Sequence, residues 1–129
     1  MMNSYYSRED LKRIPEIMNL APKAAASFIA FEKEIYTDSG SVPVKTKELI
    51  AIAVAHITGC PYCIDTHTQR YKKLGGTSEE IIEAVLVAAS TRAGAVLSHA
   101  TQALAAFDQG LTTDESSPVT PVTKPDCFC

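Results

Sequence analysis

The sequence lacks the features that would direct it to a polyanion or into a membrane. It has 12 Lys and Arg residues against 15 Asp and Glu, so no basic field is available to hold nucleic acid or an anionic membrane. Its longest unbroken apolar run, LIAIAVA, is far shorter than the roughly 20 residues that cross a bilayer. The N-terminus, MMNSYYSREDLKR, has no apolar stretch of the secretory type. We therefore expect a soluble, cytoplasmic protein that binds neither nucleic acid nor a membrane.

The remaining composition suits one small globular domain. The chain has 129 residues, of which 46% are hydrophobic, and a domain of this size can bury roughly two-thirds of its unfolded surface. It contains four cysteines. In a reducing compartment, cysteines are more often catalytic or metal-binding than paired in structural disulfides.

Helix start and stop signals alternate through the first 110 residues. The starts are Ser7, Pro22, Pro61 and Thr77, and the stops are Gly59, Gly75–Gly76 and Gly110. KTKELIAIAVAHITG is apolar nearly all round, so we expect it to be the most buried helix. SEEIIEAVLVAASTR and AVLSHATQALAAFDQG are predicted as two further helices. The fold class predicted for residues 1–110 is an all-α helical bundle in a single domain.

The composition changes after Gly110. The segment LTTDESSPVTPVTKPDCFC contains three prolines and many Ser and Thr residues, which is typical of a flexible tail. We therefore predict a flexible tail over residues 111–129. It ends in Cys127 and Cys129, for which three hypotheses remain open: a thiol shuttle to the active site, a metal-binding pair, or no role.

The tetrapeptide CPYC, residues 60–63, also occurs at the active site of glutaredoxins. A thioredoxin fold would need a strand before the cysteines and a later strand carrying a cis-proline. The segment before Cys60 is long for a strand, and the segments after Cys63 are helical. No proline follows until Pro118, in the predicted tail. The surroundings therefore favour a different, helical scaffold.

The spacing around CPYC favours thiol redox chemistry at the start of a helix. Cys60 and Cys63 are neighbours at i and i+3, close enough to form a disulfide. In the first helical turn the unpaired N–H groups stabilise thiolates, so we expect low pKa values there. His67, four residues after Cys63, can exchange a proton with that sulfur. Glu48 can orient His67, or relay its proton, if its helix packs antiparallel to the next one.

The pattern E-x11-C-x2-C-x3-H, from Glu48 to His67, resembles the core of the alkylhydroperoxidase D and carboxymuconolactone decarboxylase family over about residues 42–107. The resemblance implies an AhpD-like bundle with antioxidant peroxidase activity and a redox-active disulfide. Cys63 would attack a hydroperoxide, Cys60 would resolve the sulfenic acid to a disulfide, and Glu48 and His67 would relay protons. Neither a cofactor nor a metal is implied. Decarboxylase activity is disfavoured, because that branch does not depend on a CxxC pair.

The resemblance also implies partners. The oxidant would be a small hydroperoxide or the disulfide of a partner protein, and the reductant a dithiol of the lipoyl or thioredoxin type. Family members are trimers or hexamers, and the apolar segments exceed what short helices can cover, so we expect a homo-oligomer. One position departs from the family pattern: Tyr62 stands where some peroxidases have a histidine, and a phenol is a poor base near neutral pH.

Two other functions remain open on the residues alone. The chain could bind a thiophilic metal or metalloid, such as zinc or arsenite, through Cys60 and Cys63 together with Cys127 and Cys129, or with His67. It could also be a structural oligomer with a vestigial site. His56, on the same predicted helix as Glu48, is an accessory candidate for the site, as is Tyr62.

Overall fold

Every regular element in residues 4–110, the part of the chain that the computed structural model describes, is a helix. A 3₁₀ helix, Arg8–Arg13, is followed by five α-helices: α1 Ile14–Leu20, α2 Pro22–Ile35, α3 Val44–Thr58, α4 Pro61–Lys73 and α5 Ser78–Gln109. The all-α prediction is confirmed. The predicted tail, with Cys127 and Cys129, lies outside the described residues.

The predicted start and stop residues lie at the ends of helices, although Ser7 caps Glu9 and not the predicted partner Asp10. The Ser7 side chain accepts the Glu9 N–H at the start of the 3₁₀ helix. Thr77 and Glu80 cap α5 reciprocally: the Thr77 hydroxyl accepts the Glu80 N–H at 3.2 Å, and the Glu80 carboxylate accepts the Thr77 N–H at 3.0 Å. Gly59 ends α3 with φ of 70°, a left-handed conformation that costs little only without a Cβ. This turn reverses the chain between α3 and α4.

One predicted helix break is absent. The two helices predicted from SEEIIEAVLVAASTR and AVLSHATQALAAFDQG form a single helix, α5, of 32 residues. Gly94 lies at the expected break, but a glycine inside a helix costs only about 1 kcal/mol relative to alanine. No proline removes a backbone donor there, so the helical hydrogen bonds continue through the glycine. The prediction of two helices is wrong.

The chain divides into two units, Met1–Ala89 and Ser90–Cys129, and the division falls within α5. The side chains buried in the described residues belong to the first unit: Glu48, Ile52, Ala55, His67, Tyr71 and Ala88. Half of them come from α3, as expected for the most apolar helix, although its Ile50, Val54 and Ile57 remain about half exposed. The predicted boundary at residue 110 stays a prediction.

Helix α5 is long, apolar and little buried. Its most apolar window has a mean hydropathy of 1.5, and only 6% of that window is buried. By length and composition α5 could cross a membrane, which is weak evidence because core helices of soluble proteins pass the same test. Ser, Thr and His residues interrupt α5, so it contains no long unbroken apolar run in the sequence. The expected cytoplasmic location stays a prediction.

We expect the protein to form a homo-oligomer, because it exposes many large apolar side chains. Those exposed by more than half include Phe28, Phe31, Val96, Leu97, Leu104 and Phe107. Covering apolar surface is favourable by about 25 cal/mol per Å², and a second copy of the chain would supply the cover. Light scattering at micromolar concentration should give a multiple of the 13.9 kDa chain mass. A mass equal to one chain would contradict the expectation.

Candidate active site

Helices α3 and α4 bring a carboxylate and an imidazole together in the core. Glu48 is 2% exposed and His67 is 8% exposed, and Oε2 of Glu48 lies 2.6 Å from Nδ1 of His67. The pair forms because the two helices run antiparallel from the Gly59 turn. A hydrogen bond donated by Nδ1 to the carboxylate leaves Nε2 as the basic nitrogen of the ring.

Two further side chains support this pair. Nη1 of Arg70 lies 3.9 Å from Oε1 of Glu48, which partly balances the buried negative charge. The Tyr36 ring packs on the His67 imidazole, with 5.2 Å between the ring centroids and 31° between the planes. Neither residue was predicted from the sequence to belong to the site. Arg70 could have been found, because it is three residues after His67 and therefore on the same face of α4.

The two cysteines form a reduced dithiol at the start of α4. Their sulfurs are 2.8 Å apart, within hydrogen-bond distance and not covalently bonded. Cys60 is the N-cap residue, and its sulfur accepts the backbone N–H of Cys63 at 3.2 Å. Both thiols are half-buried. The sequence placed both cysteines in the first turn of a helix, and the structure adds that Cys60 takes the capping position.

The two thiols differ in acidity, contrary to the expectation of a low pKa for both. The hydrogen bond between the sulfurs, with the backbone N–H groups of Cys63 and Tyr62, lowers the pKa of Cys60. The same hydrogen bond between the sulfurs, together with burial and the negative charge on Cys60, raises the pKa of Cys63 to about 11. The capping sulfur receives the unpaired N–H groups, so it is the one that ionises. Cys63 keeps its proton until a base removes it.

A largely apolar cavity of about 420 Å³ opens beside Cys63 and His67. The end of α2 and one side of α3 form its walls, which include Ile35, Ile50 and Val54. Its volume is within the range of small-molecule sites. Cys60 is not among the described residues that line it. A molecule bound in this cavity would therefore meet the sulfur of Cys63 and the imidazole of His67.

The two accessory candidates make their contacts elsewhere. His56 is exposed, and its Nδ1 bonds to the backbone carbonyl of Ile52, 2.8 Å away on the same helix. Tyr62 packs edge-on against Tyr6, with 5.0 Å between the ring centroids, and its hydroxyl lies 3.5 Å from Asp10. Burial and the Asp10 carboxylate raise the pKa of Tyr62, which makes it a still poorer base.

The N-terminal segment is fastened to the first turns of α4 through Asp65. Nε and Nη2 of Arg8 each lie 2.7 Å from an Asp65 oxygen, and the Tyr6 hydroxyl donates to the same carboxylate. The hydrogen bonds from Arg8 and Tyr6 lower the pKa of Asp65. These partners are 57 and 59 positions apart in the sequence, and no local pattern links them.

Residues 4–110 contain no group of three or more His, Cys, Asp or Glu side chains placed to hold a metal ion. Cys60, Cys63 and His67 are therefore not placed as a metal site. The other form of the metal or metalloid hypothesis uses Cys127 and Cys129 with Cys60 and Cys63. The terminal pair lies outside the described residues, so this hypothesis stays untested.

Helices α3 and α4 thus carry a dithiol close to a buried carboxylate and imidazole. These features define a helical protein suited to thiol chemistry. Residues 22–106 match the model of the carboxymuconolactone decarboxylase family. The chain is 47% identical over 83 residues to uncharacterized protein 4 in the cox locus of Paracoccus denitrificans, covering 64% of this chain and 74% of that protein. The chain therefore belongs to the carboxymuconolactone decarboxylase family, which confirms the resemblance found in the sequence.

The fold and one named relative agree with this membership. A crystal structure of a carboxymuconolactone decarboxylase family protein from Legionella pneumophila matches with a TM-score of 0.61 and 32% identity, over 79% of this chain and 90% of that one. Alkyl hydroperoxide reductase AhpD of Bradyrhizobium diazoefficiens is 32% identical over 96 residues, which are 74% of this chain and 48% of that protein. The chain thus spans about half the length of that enzyme. The family includes enzymes, and AhpD is one of them.

Proposed function

We propose that the protein is a CxxC thiol–disulfide oxidoreductase that reduces hydroperoxides. The observation that carries the proposal is the cavity that Cys63 and His67 both line, with Glu48 bonded to the imidazole and the sulfur of Cys60 beside that of Cys63. Similarity to an alkyl hydroperoxide reductase supports it.

Cys63 is the attacking thiol, and His67 is its base. With a pKa of about 11, Cys63 is protonated at neutral pH, so Nε2 of His67 takes its proton while Glu48 stabilises the imidazolium. The thiolate attacks the terminal oxygen of the hydroperoxide and the O–O bond breaks. The departing alkoxide takes the proton from His67 and leaves as an alcohol. Cys63 is now a sulfenic acid.

Cys60 resolves the sulfenic acid. Its sulfur attacks that of Cys63, an S–S bond forms, and the hydroxide that leaves is protonated to water. The sum is two thiols and one hydroperoxide giving one disulfide, one alcohol and one water. A lipoyl-type or thioredoxin-type dithiol then reduces the disulfide. Cys60 is the exchange sulfur, because its lowered pKa makes it the thiolate that reacts with a partner disulfide.

A thiol titration tests the proposal. One equivalent of cumene hydroperoxide should remove two thiols per chain, with a Cys60–Cys63 disulfide found by peptide mapping and cumyl alcohol as product. The matched control is a chain with Cys127 and Cys129 both replaced by serine, which should lose the same two thiols. Thiols that resist the hydroperoxide, or a stoichiometric metal that protects them, would overturn the proposal and favour the metal-binding hypothesis.

A further inference from the structure

We propose that the cavity selects hydroperoxides that carry a carboxylate at the far end of an alkyl chain, with Lys47 as the residue that binds the carboxylate. The inference rests on the proposed function and names its substrate class. It arises from the placement of one cation in an otherwise apolar wall.

Lys47 lines the cavity but takes no part in the proposed reduction of the hydroperoxide. Among the described residues that line the cavity, Lys47 carries the one permanent positive charge, and none is acidic. Its Nζ donates to the backbone carbonyl of Thr37 at 2.7 Å, which fixes the ammonium and leaves its other N–H donors for a ligand. Glu48, the next residue, is directed into the core, where it is bound to His67.

The length of the cavity sets the length of the ligand. Cys63 lies beside the end of α3, because the Cys60 N–H bonds to the Ala55 carbonyl at 3.1 Å across the turn. Lys47 lies near the start of α3, eight residues or about 12 Å of helix rise before Ala55. Cys63 lies about 4.5 Å back along the antiparallel α4 from Cys60, so about 7–8 Å of rise separates Cys63 from Lys47, to which the length of the lysine side chain is added. A medium-length alkyl chain spans that distance, with the hydroperoxide at Cys63 and the carboxylate at Lys47. A short hydroperoxide reaches only one end.

The cavity should distinguish a free acid from its neutral ester. The apolar wall of Ile35, Ile50 and Val54 accepts the alkyl chain of either molecule. A hydrogen bond between ammonium and carboxylate is among the stronger ones, and the half-buried position of Lys47 limits its screening by solvent. The free acid should therefore be preferred, and the preference should depend on Lys47.

The kinetic test compares decanoic acid bearing a terminal hydroperoxide with its methyl ester, and uses cumene hydroperoxide as a reference. Wild-type protein should show a kcat/KM for the acid roughly tenfold or more above that for the ester. Lys47→Met should remove this preference by lowering kcat/KM for the acid to the value for the ester. Lys45→Met is the matched control, because Lys45 pairs with Glu80 and does not line the cavity. That control should keep the preference.

A binding measurement separates this inference from the proposed function. Decanoate titrated calorimetrically should bind wild type and Lys45→Met about tenfold more tightly than Lys47→Met. If even cumene hydroperoxide is not reduced, the proposed function fails, and the calorimetry still decides the inference. Equal decanoate affinity for wild type and Lys47→Met would overturn it. So would equal rates for acid and ester in the wild type, or a preference for the acid that survives Lys47→Met.

Discussion

Replacing Cys63 by serine should abolish hydroperoxide-dependent turnover. The substitution removes the sulfur that shares the cavity with His67, and a serine hydroxyl cannot form a sulfenic acid or a disulfide. Steady-state consumption of cumene hydroperoxide with a dithiol reductant should fall to the background rate. Cys63→Ser should also leave Cys60 reduced when the hydroperoxide is added, as measured by the mass of the intact protein.

Cys60→Ser is the control for the division of roles. The hydrogen bond to Cys60 is the largest cause of the raised pKa of Cys63, so its loss should not hinder ionisation of Cys63. Cys63 should still react once, and its sulfenic acid should persist or over-oxidise because no thiol lies beside it. Dimedone labelling followed by mass spectrometry detects that product. If dimedone instead labels Cys60 in the Cys63→Ser variant, or the two variants behave alike, the assignment of the attacking sulfur is wrong.

Replacing His67 by alanine should slow the oxidation of Cys63 by roughly 10²–10⁴-fold, the usual contribution of a general base. The reason is that Cys63, with a pKa of about 11, holds its proton at neutral pH and loses its acceptor. Rapid-mixing measurement of the first oxidation isolates this step from re-reduction. His56→Ala is the matched control, because His56 is exposed and bonded to its own helix, and it should react at the wild-type rate.

A pH series distinguishes lost base catalysis from a damaged fold. Alanine at position 67 also leaves Glu48 buried without its partner, so His67→Gln, which preserves a hydrogen bond to Glu48, is the better variant here. The rate of Cys63 oxidation in this variant should approach the wild-type rate as the pH rises toward the Cys63 pKa of about 11, because hydroxide in solution then removes the proton without help from His67. A deficit that is constant with pH would contradict the general-base role.

Sequence predicted most of the fold because the signals that begin and end these helices are local. Ser7, Gly59 and the Thr77–Glu80 pair each act on backbone groups within a few residues, so a linear reading finds them. The break predicted within α5 was wrong for the same reason. Gly94 weakens a helix locally, but the cost is too small to end one.

The site was predictable where it depends on spacing and not where it depends on packing. Glu48 meets His67 because two helices joined by a tight turn must run antiparallel. Lys47 and Tyr36 become cavity residues only when the end of α2 packs beside α3, which no local pattern specifies. The opposed pKa shifts of Cys60 and Cys63 depend on which sulfur takes the N-cap, a matter of rotamer and backbone that spacing does not fix.

The burial of Glu48 and His67 has an evolutionary consequence. They are two of the six side chains buried in the described part of the chain, and with Tyr71 they make half of a small core ionisable. Replacing both partners of a buried hydrogen bond by apolar side chains of the same shape can be nearly neutral or stabilising. Selection for stability alone would therefore let the pair drift to aliphatic residues. The proposed proton transfer requires the pair, and family members that have lost it are the ones in which we expect the thiol chemistry to have been abandoned.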